Sequence, residues 1–191
     1  MKTERIVALM MMGGSMALGA GPAFAAGDPH AVKVSVGYAD SNHSPAFVPS
    51  PWQGQVDPFI GSGPACPPCN PGWDAGAILL TNPSPQPLTV DDVSVSFGIT
   101  TIDLWGHFTI PGKGSAILTQ TAQFNFDGSQ LSGASCGTPT SFKPVVHVTV
   151  GAKNPEMKDF VDKNMVLAAG GLNLSDCIPP RNEGLPFQEI Q

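Results

Sequence analysis

The sequence predicts an all-β fold, an antiparallel β-sandwich with long loops, and three observations carry that expectation. Six segments alternate apolar and polar residues with the period of two that a half-buried strand imposes. Turn-forming stretches separate them, drawing on 22 Gly and 20 Pro in 191 residues. No amphipathic helix stands between successive strands, which favours antiparallel sheets over parallel βαβ units. So much Gly and Pro also suits a low-complexity chain, but the Val, Ile, Leu and Phe residues fall in ordered runs that bury a face.

The N-terminus reads as a secretory signal peptide. Lys2 and Arg5 precede an apolar stretch from Ile6 to Ala20, and Ala23-Phe24-Ala25 offers an A-x-A cleavage pattern before Ala26. Gly13, Gly14 and Ser15 interrupt that stretch, which is shorter than the roughly 20 apolar residues a bilayer needs. Residues 1–25 are therefore expected to be removed, leaving residues 26–191 as one domain. No cysteine near the cleavage point could take a lipid, and no later stretch is long and apolar enough to act as a stable membrane anchor. Residues 1–25 hold two of the nine basic and one of the fifteen acidic residues, so the remainder carries seven against fourteen. That excess of negative charge disfavours nucleic acid and anionic membrane surfaces as partners, because phosphate binding draws on Lys and Arg.

Each strand has its own pattern. Val32, Val34, Val36 and Tyr38 alternate with Lys33, Ser35 and Gly37. Gly76 to Thr81 follows, then Val90 to Phe97 with Val93, Val95 and Phe97 on one face, then Thr101 to Ile110, Ser115 to Gln120 and Val145 to Val150. Asn82-Pro83-Ser84-Pro85-Gln86-Pro87 and Pro111-Gly112-Lys113-Gly114 supply turn chemistry and are expected to join neighbouring strands. From Ala39 to Gly72 the chain is Pro- and Gly-rich, a long loop that Trp52 and Phe59 argue is ordered. Asn154 to Lys163 reads either as a short helix, capped by Asn154 with Pro155 next and Met157, Phe160 and Val161 on one face, or as an irregular hairpin connection.

Cys66, Cys69, Cys136 and Cys177 all lie beyond the signal peptide, where an oxidising compartment makes disulfides the default, with three connectivities open. Cys66-Pro67-Pro68-Cys69 matches the C-x-x-C redox pattern, but Asn70-Pro71-Gly72 follows where that chemistry wants a helix. A local structural bridge, a metal site and a redox pair are its three readings. Zinc would need two more ligands, and none of His30, His43, His107 and His147 stands at finger spacing.

No catalytic constellation is legible and no cofactor is called for. There is no G-x-S-x-G elbow. His147 falls on the face of its strand opposite Val146 and Val148, and His107 follows the Gly106 bend, so both read as structural. Asp74, Asp103 and Asp127 could supply the two carboxylates that a glycosidase places about 5 to 9 Å apart. Each also reads as an acceptor for turn N–H groups, and Asn125 to Ser129 as a polar turn that partly echoes a calcium loop without its closing Glu. Trp52, Trp73 and Trp105 are candidates either for core packing or for an aromatic platform that grips sugar faces.

Five blocks follow one another in a recognisable order: Pro49-Ser50-Pro51-Trp52-Gln53-Gly54, Trp73-Asp74-Ala75-Gly76-Ala77-Ile78, Asp103-Leu104-Trp105-Gly106, Ile110-Pro111-Gly112-Lys113-Gly114 with Ala116 to Thr121, and Asn125-Phe126-Asp127. With Val166-Leu167, Gly170-Gly171, Cys177 and Asn182-Glu183, they resemble an uncharacterised family of exported bacterial β-sandwich proteins, many of which end in a sorting tail. More distantly, Gly76 to Thr121 looks like a lamin-tail-type immunoglobulin-like domain. The resemblance implies an immunoglobulin-like sandwich, and that Cys136 pairs with Cys177 and Cys66 with Cys69. No Pro-Glu-Pro motif, hydrophobic segment or basic cluster follows Glu183, so the expected product is soluble, in the periplasm or outside the cell. Three functions are then expected to compete. The first is a non-enzymatic sandwich binding an envelope glycan or another exported protein. The second is a polysaccharide hydrolase acting through Asp74, Asp103 or Asp127, and the third a thiol–disulfide protein using Cys66 and Cys69.

Overall fold

The alternating runs form two five-stranded sheets packed face to face. The computed structural model describes residues 32–42, 46–62, 72–122, 124–128, 142–151, 155–169 and 185–191. The expected signal peptide, all four cysteines, His30, His43 and Asn154 lie outside the described residues. Across the first sheet the order is β10 (Gln188–Ile190), β1 (Lys33–Asp40), β3 (Asp74–Thr81), β7 (Ser115–Leu118) and β2 (Phe59–Ile60). Only β2 and β7 run parallel. The second sheet orders β5 (Thr100–Asp103), β4 (Leu88–Phe97), β8 (Val145–Val150) and β9 (Glu156–Val161), and β6 (Phe108–Ile110) also pairs with β4. Val166–Ala169 forms a short helical turn, and among the described residues no helix is long and apolar enough to cross a membrane.

Period-two alternation places Val34, Val36, Ile78, Leu80 and Leu118 of the first sheet against Val93, Val95, Phe97, Val146 and Val148 of the second in one buried cluster. Burying each such side chain contributes about 1.5–3 kcal/mol before the entropy of ordering it is subtracted. Val90 is buried as fully as Val93, three residues on. A bulge between Val90 and Asp92 resets the alternation, so Asp91 and Asp92 follow one another without either entering the core.

Three expectations need correction. The two proline-rich turns do not join hydrogen-bonded neighbours: Asn82–Pro87 carries the chain from β3 to β4 and Pro111–Gly114 from β6 to β7, each crossing between sheets. They lie against one another, with Lys113 N–H donating to Ser84 O at 2.8 Å and Asn82 N–H to Gly114 O at 2.9 Å. The approach leaves no room for a side chain at Gly112, where a Cβ would fall 2.0 Å from Pro85 O. Second, Thr101 to Ile110 is not one strand. It breaks at Leu104–His107, where Gly106 takes a left-handed conformation (φ 58°) and Trp105 turns into the core, before the chain resumes in the same direction along β4 as β6.

Third, Glu156–Val161 is the edge strand β9 and neither a helix nor an irregular connection. Phe160 is buried, but Met157, placed with it on one helical face by the sequence, is exposed. Lys158 sits on the inward side of this edge, 5.6 Å from the centroid of the Phe160 ring. A charge pointing inward on an edge strand opposes pairing with another chain.

Candidate functional site

The two sheets finish their outer faces differently. Gly37, Ala39, Ala77 and Ile117 point away from the core of the first sheet, yet all are buried. The cover comes from the long loop and the C-terminal segment. Pro49 and the Phe187 ring lie over Gly37, where an added Cβ would come within 3.0 Å of Phe187, and Phe59 pairs beside Ile117. The loop is tied down by its backbone: Ile117 N–H donates to Pro58 O at 3.1 Å, and Thr119 N–H to Ile60 O at 3.0 Å.

Trp52, Phe59 and Trp73 form a mutual cluster in this strap, with ring centroids 5.4, 5.4 and 5.7 Å apart and planes at 75°, 87° and 75°. Edge-to-face packing of this kind satisfies the rings' quadrupoles among themselves. The three half-buried rings lie nearly perpendicular, so they do not form one coplanar platform. The third candidate, Trp105, is core: it is buried, its Nε1–H donates to Thr119 O at 2.7 Å, and its ring meets Phe126 edge-on at 5.0 Å.

The carboxylates named in the sequence do not converge. Asp74 ends the inner face of β3 and accepts a 2.6 Å hydrogen bond from the Tyr38 hydroxyl. Asp103 stands exposed on the second sheet. Asp127 is buried beside Phe126, which fills the core and accepts a 2.7 Å bond from Gly76 N–H, so the expected polar turn is a plug inserted between the sheets. Ser129 lies outside the described residues. Among the described residues no three His, Cys, Asp or Glu side chains come together as metal ligands.

On the outer face of the second sheet, β4, β5, β8 and β9 present a polar array that nothing in the described chain covers. Asp92 and Asp103 stand side by side. Partial burial, then repulsion from Asp103, raises the Asp92 carboxyl above its ordinary pKa. Next to them the bulge turns out Asp91, 3.9 Å from His107 Nδ1.

Further along, the register brings Asp159 directly opposite His147, and Ser96 one step diagonal to it. Ser96 Oγ lies 2.8 Å from His147 Nε2, and His147 Nδ1 lies 2.7 Å from Asp159 Oδ1. Thr101 Oγ1 is 3.4 Å from Ser96 Oγ. An Asp accepting from Nδ1–H fixes the imidazole tautomer, leaving Nε2 to accept the serine proton. The outward direction of His147 was legible from its alternation with Val146 and Val148, but its partners were not, since they depend on the pairing of three strands.

No family model matches the chain, and neither a curated protein nor a solved structure matches it. Fold and site together define a two-sheet all-β sandwich with one strapped outer face and one polar outer face that none of the described residues covers.

Proposed function

We propose that the chain is an exported, immunoglobulin-like β-sandwich that works by binding, in the periplasm or outside the cell, and that its contact surface is the outer face of the second sheet. The observation that carries this reading is the adjacent pair of Asp92 and Asp103 on a face that none of the described residues covers, while the opposite face is strapped. Two adjacent carboxylates on a flat polar surface accept hydrogen bonds from vicinal hydroxyls, which makes an envelope glycan the partner class. The signal-peptide pattern and the resemblance to exported bacterial proteins support export. Cys136–Cys177 and Cys66–Cys69 are proposed as structural bridges suited to that compartment.

The test is titration of the mature chain against a panel of envelope glycans. Saturable binding is expected, weakened at least tenfold when Asp92→Asn and Asp103→Asn are combined. Binding that survives the double variant but disappears in Trp52→Ala would move the site to the aromatic strap. Absence of binding to every glycan would sink the glycan reading and leave a protein partner.

A further inference from the structure

We propose that Ser96 is an acyl-accepting nucleophile and that the open face hydrolyses short acyl esters, of the kind borne by hydroxylated polymers, with His147 as general base and Asp159 as its positioning residue. This goes beyond binding and uses residues to which the binding role assigns nothing.

The geometry is that of an activated serine. Both hydrogen bonds of the relay are short, 2.8 and 2.7 Å, within the range in which a base takes a proton from a hydroxyl during attack. His147 is largely shielded, its side chain 22% exposed, whereas Asp159 is 56% exposed. Both sit on strands, so the relay is held by backbone ladders on either side of β8. An ordinary stabilising role for cross-strand polar pairs needs only Ser96 with His147 or His147 with Asp159. The uninterrupted order hydroxyl, imidazole, carboxylate does more, because the carboxylate selects the tautomer that can accept the serine proton.

Substrate class follows from the surroundings. Val145 lies opposite Ser96 across β4 and β8, with Val161 next to it on β9, and both are partly exposed. A methyl group can rest there, while a longer acyl chain would extend into solvent and gain little. Thr101 Oγ1, 3.4 Å from Ser96 Oγ, is the hydroxyl donor placed to meet the developing oxyanion. Backbone N–H groups of β4 are engaged with β5 and β8 on its two sides, so oxyanion support is thin and turnover is slow.

In the reaction, Ser96 Oγ bonds to the ester carbonyl carbon as its proton passes to His147 Nε2. The tetrahedral adduct collapses, the C–O bond to the alcohol breaks, and His147 returns the proton to the leaving oxygen. Water then attacks the acyl-serine with His147 again as base, releasing the carboxylic acid and restoring the Ser96 hydroxyl.

The experiment treats the mature chain with a fluorophosphonate probe and, separately, with p-nitrophenyl acetate and an acetylated polysaccharide. Expected results are probe mass on the Ser96 peptide, acetate release, loss of both in Ser96→Ala, and a rate about 10²-fold lower in His147→Ala. Asp159→Asn should also lower the rate. Ser94→Ala, altering a second serine on the same face, should change neither readout. Labelling of the wild type no faster than of Ser96→Ala, with both proteins folded by circular dichroism, overturns the proposal. The two proposals fail separately: glycan binding retained in Ser96→Ala, or labelling retained in the Asp92 and Asp103 double variant, isolates one from the other.

Discussion

The outer face of the first sheet carries Gly37, Ala39, Ala77 and Ile117, and the outer face of the second carries Asp92, Ser96, His147 and Asp159. Both arise from the same alternation, yet small and apolar residues on one side accept a strap of Pro49, Trp52, Phe59 and Phe187, while none of the described residues covers the polar ones on the other. A strap needs close backbone approach, which Gly37 permits and a larger residue would block. The lesson is that, among the described residues, this two-layer sandwich acquires a partial third layer over its first sheet and leaves the polar groups of its second sheet uncovered.

That contrast is broken most severely from within. Trp105→Ala removes a buried ring that meets Phe126 and donates to Thr119 O, and the cost expected in urea unfolding is about 3–5 kcal/mol. Trp73→Ala removes one member of a half-buried trio, and about 2 kcal/mol is expected. If the two cost the same, the strap is core and the distinction between the faces fails. If Trp73→Ala costs nothing, the strap is not holding the outer face of the first sheet.

Much of the layering was legible because Val93, Val95 and Phe97, or Val146 and Val148, each mark a strand with one dry side. The course of β9 was not. An edge strand that buries only Phe160 leaves no period to read, and Met157, Phe160 and Val161 happen to match a helical spacing. The bulge at Asp91 and the break at Trp105 hid because both shift the alternation rather than end it. Of the candidate site, Asp103 and the facing of His147 could be read. Ser96 and Asp159 could not, since residues 96, 147 and 159 meet only through the register of three strands.

A smaller effect is expected where the sheets are joined after β9. Asp162 is wholly buried, and one carboxylate oxygen accepts from Leu167 N–H at 2.8 Å, capping the helical turn at Val166–Ala169. Burial raises its pKa, against the lowering by backbone N–H groups. Asp162→Ala should cost about 1–2 kcal/mol through the lost cap. Asp162→Asn keeps an acceptor and sheds the buried charge, so its cost near neutral pH should be lower. Equal losses in the two variants would mean that the charge, not the cap, is what the fold uses.

The smallest effect belongs to the open face and carries the opposite sign. Because the folded-state pKa of Asp92 is raised, its protonated form favours the fold, and that contribution is full below the unfolded pKa and lost as pH rises through the folded value. At neutral pH the ionised pair of Asp92 and Asp103 is a cost, which Asp92→Asn should relieve. Asp92 is only partly buried, so solvent screening limits the gain to about a few tenths of a kcal/mol. Thermal melts should show the variant above wild type at pH 7 in low salt, the difference shrinking as salt is added and vanishing in acid. A variant less stable than wild type at neutral pH would mean that Asp92 is held by attraction, and that this face was not left charged at the expense of stability.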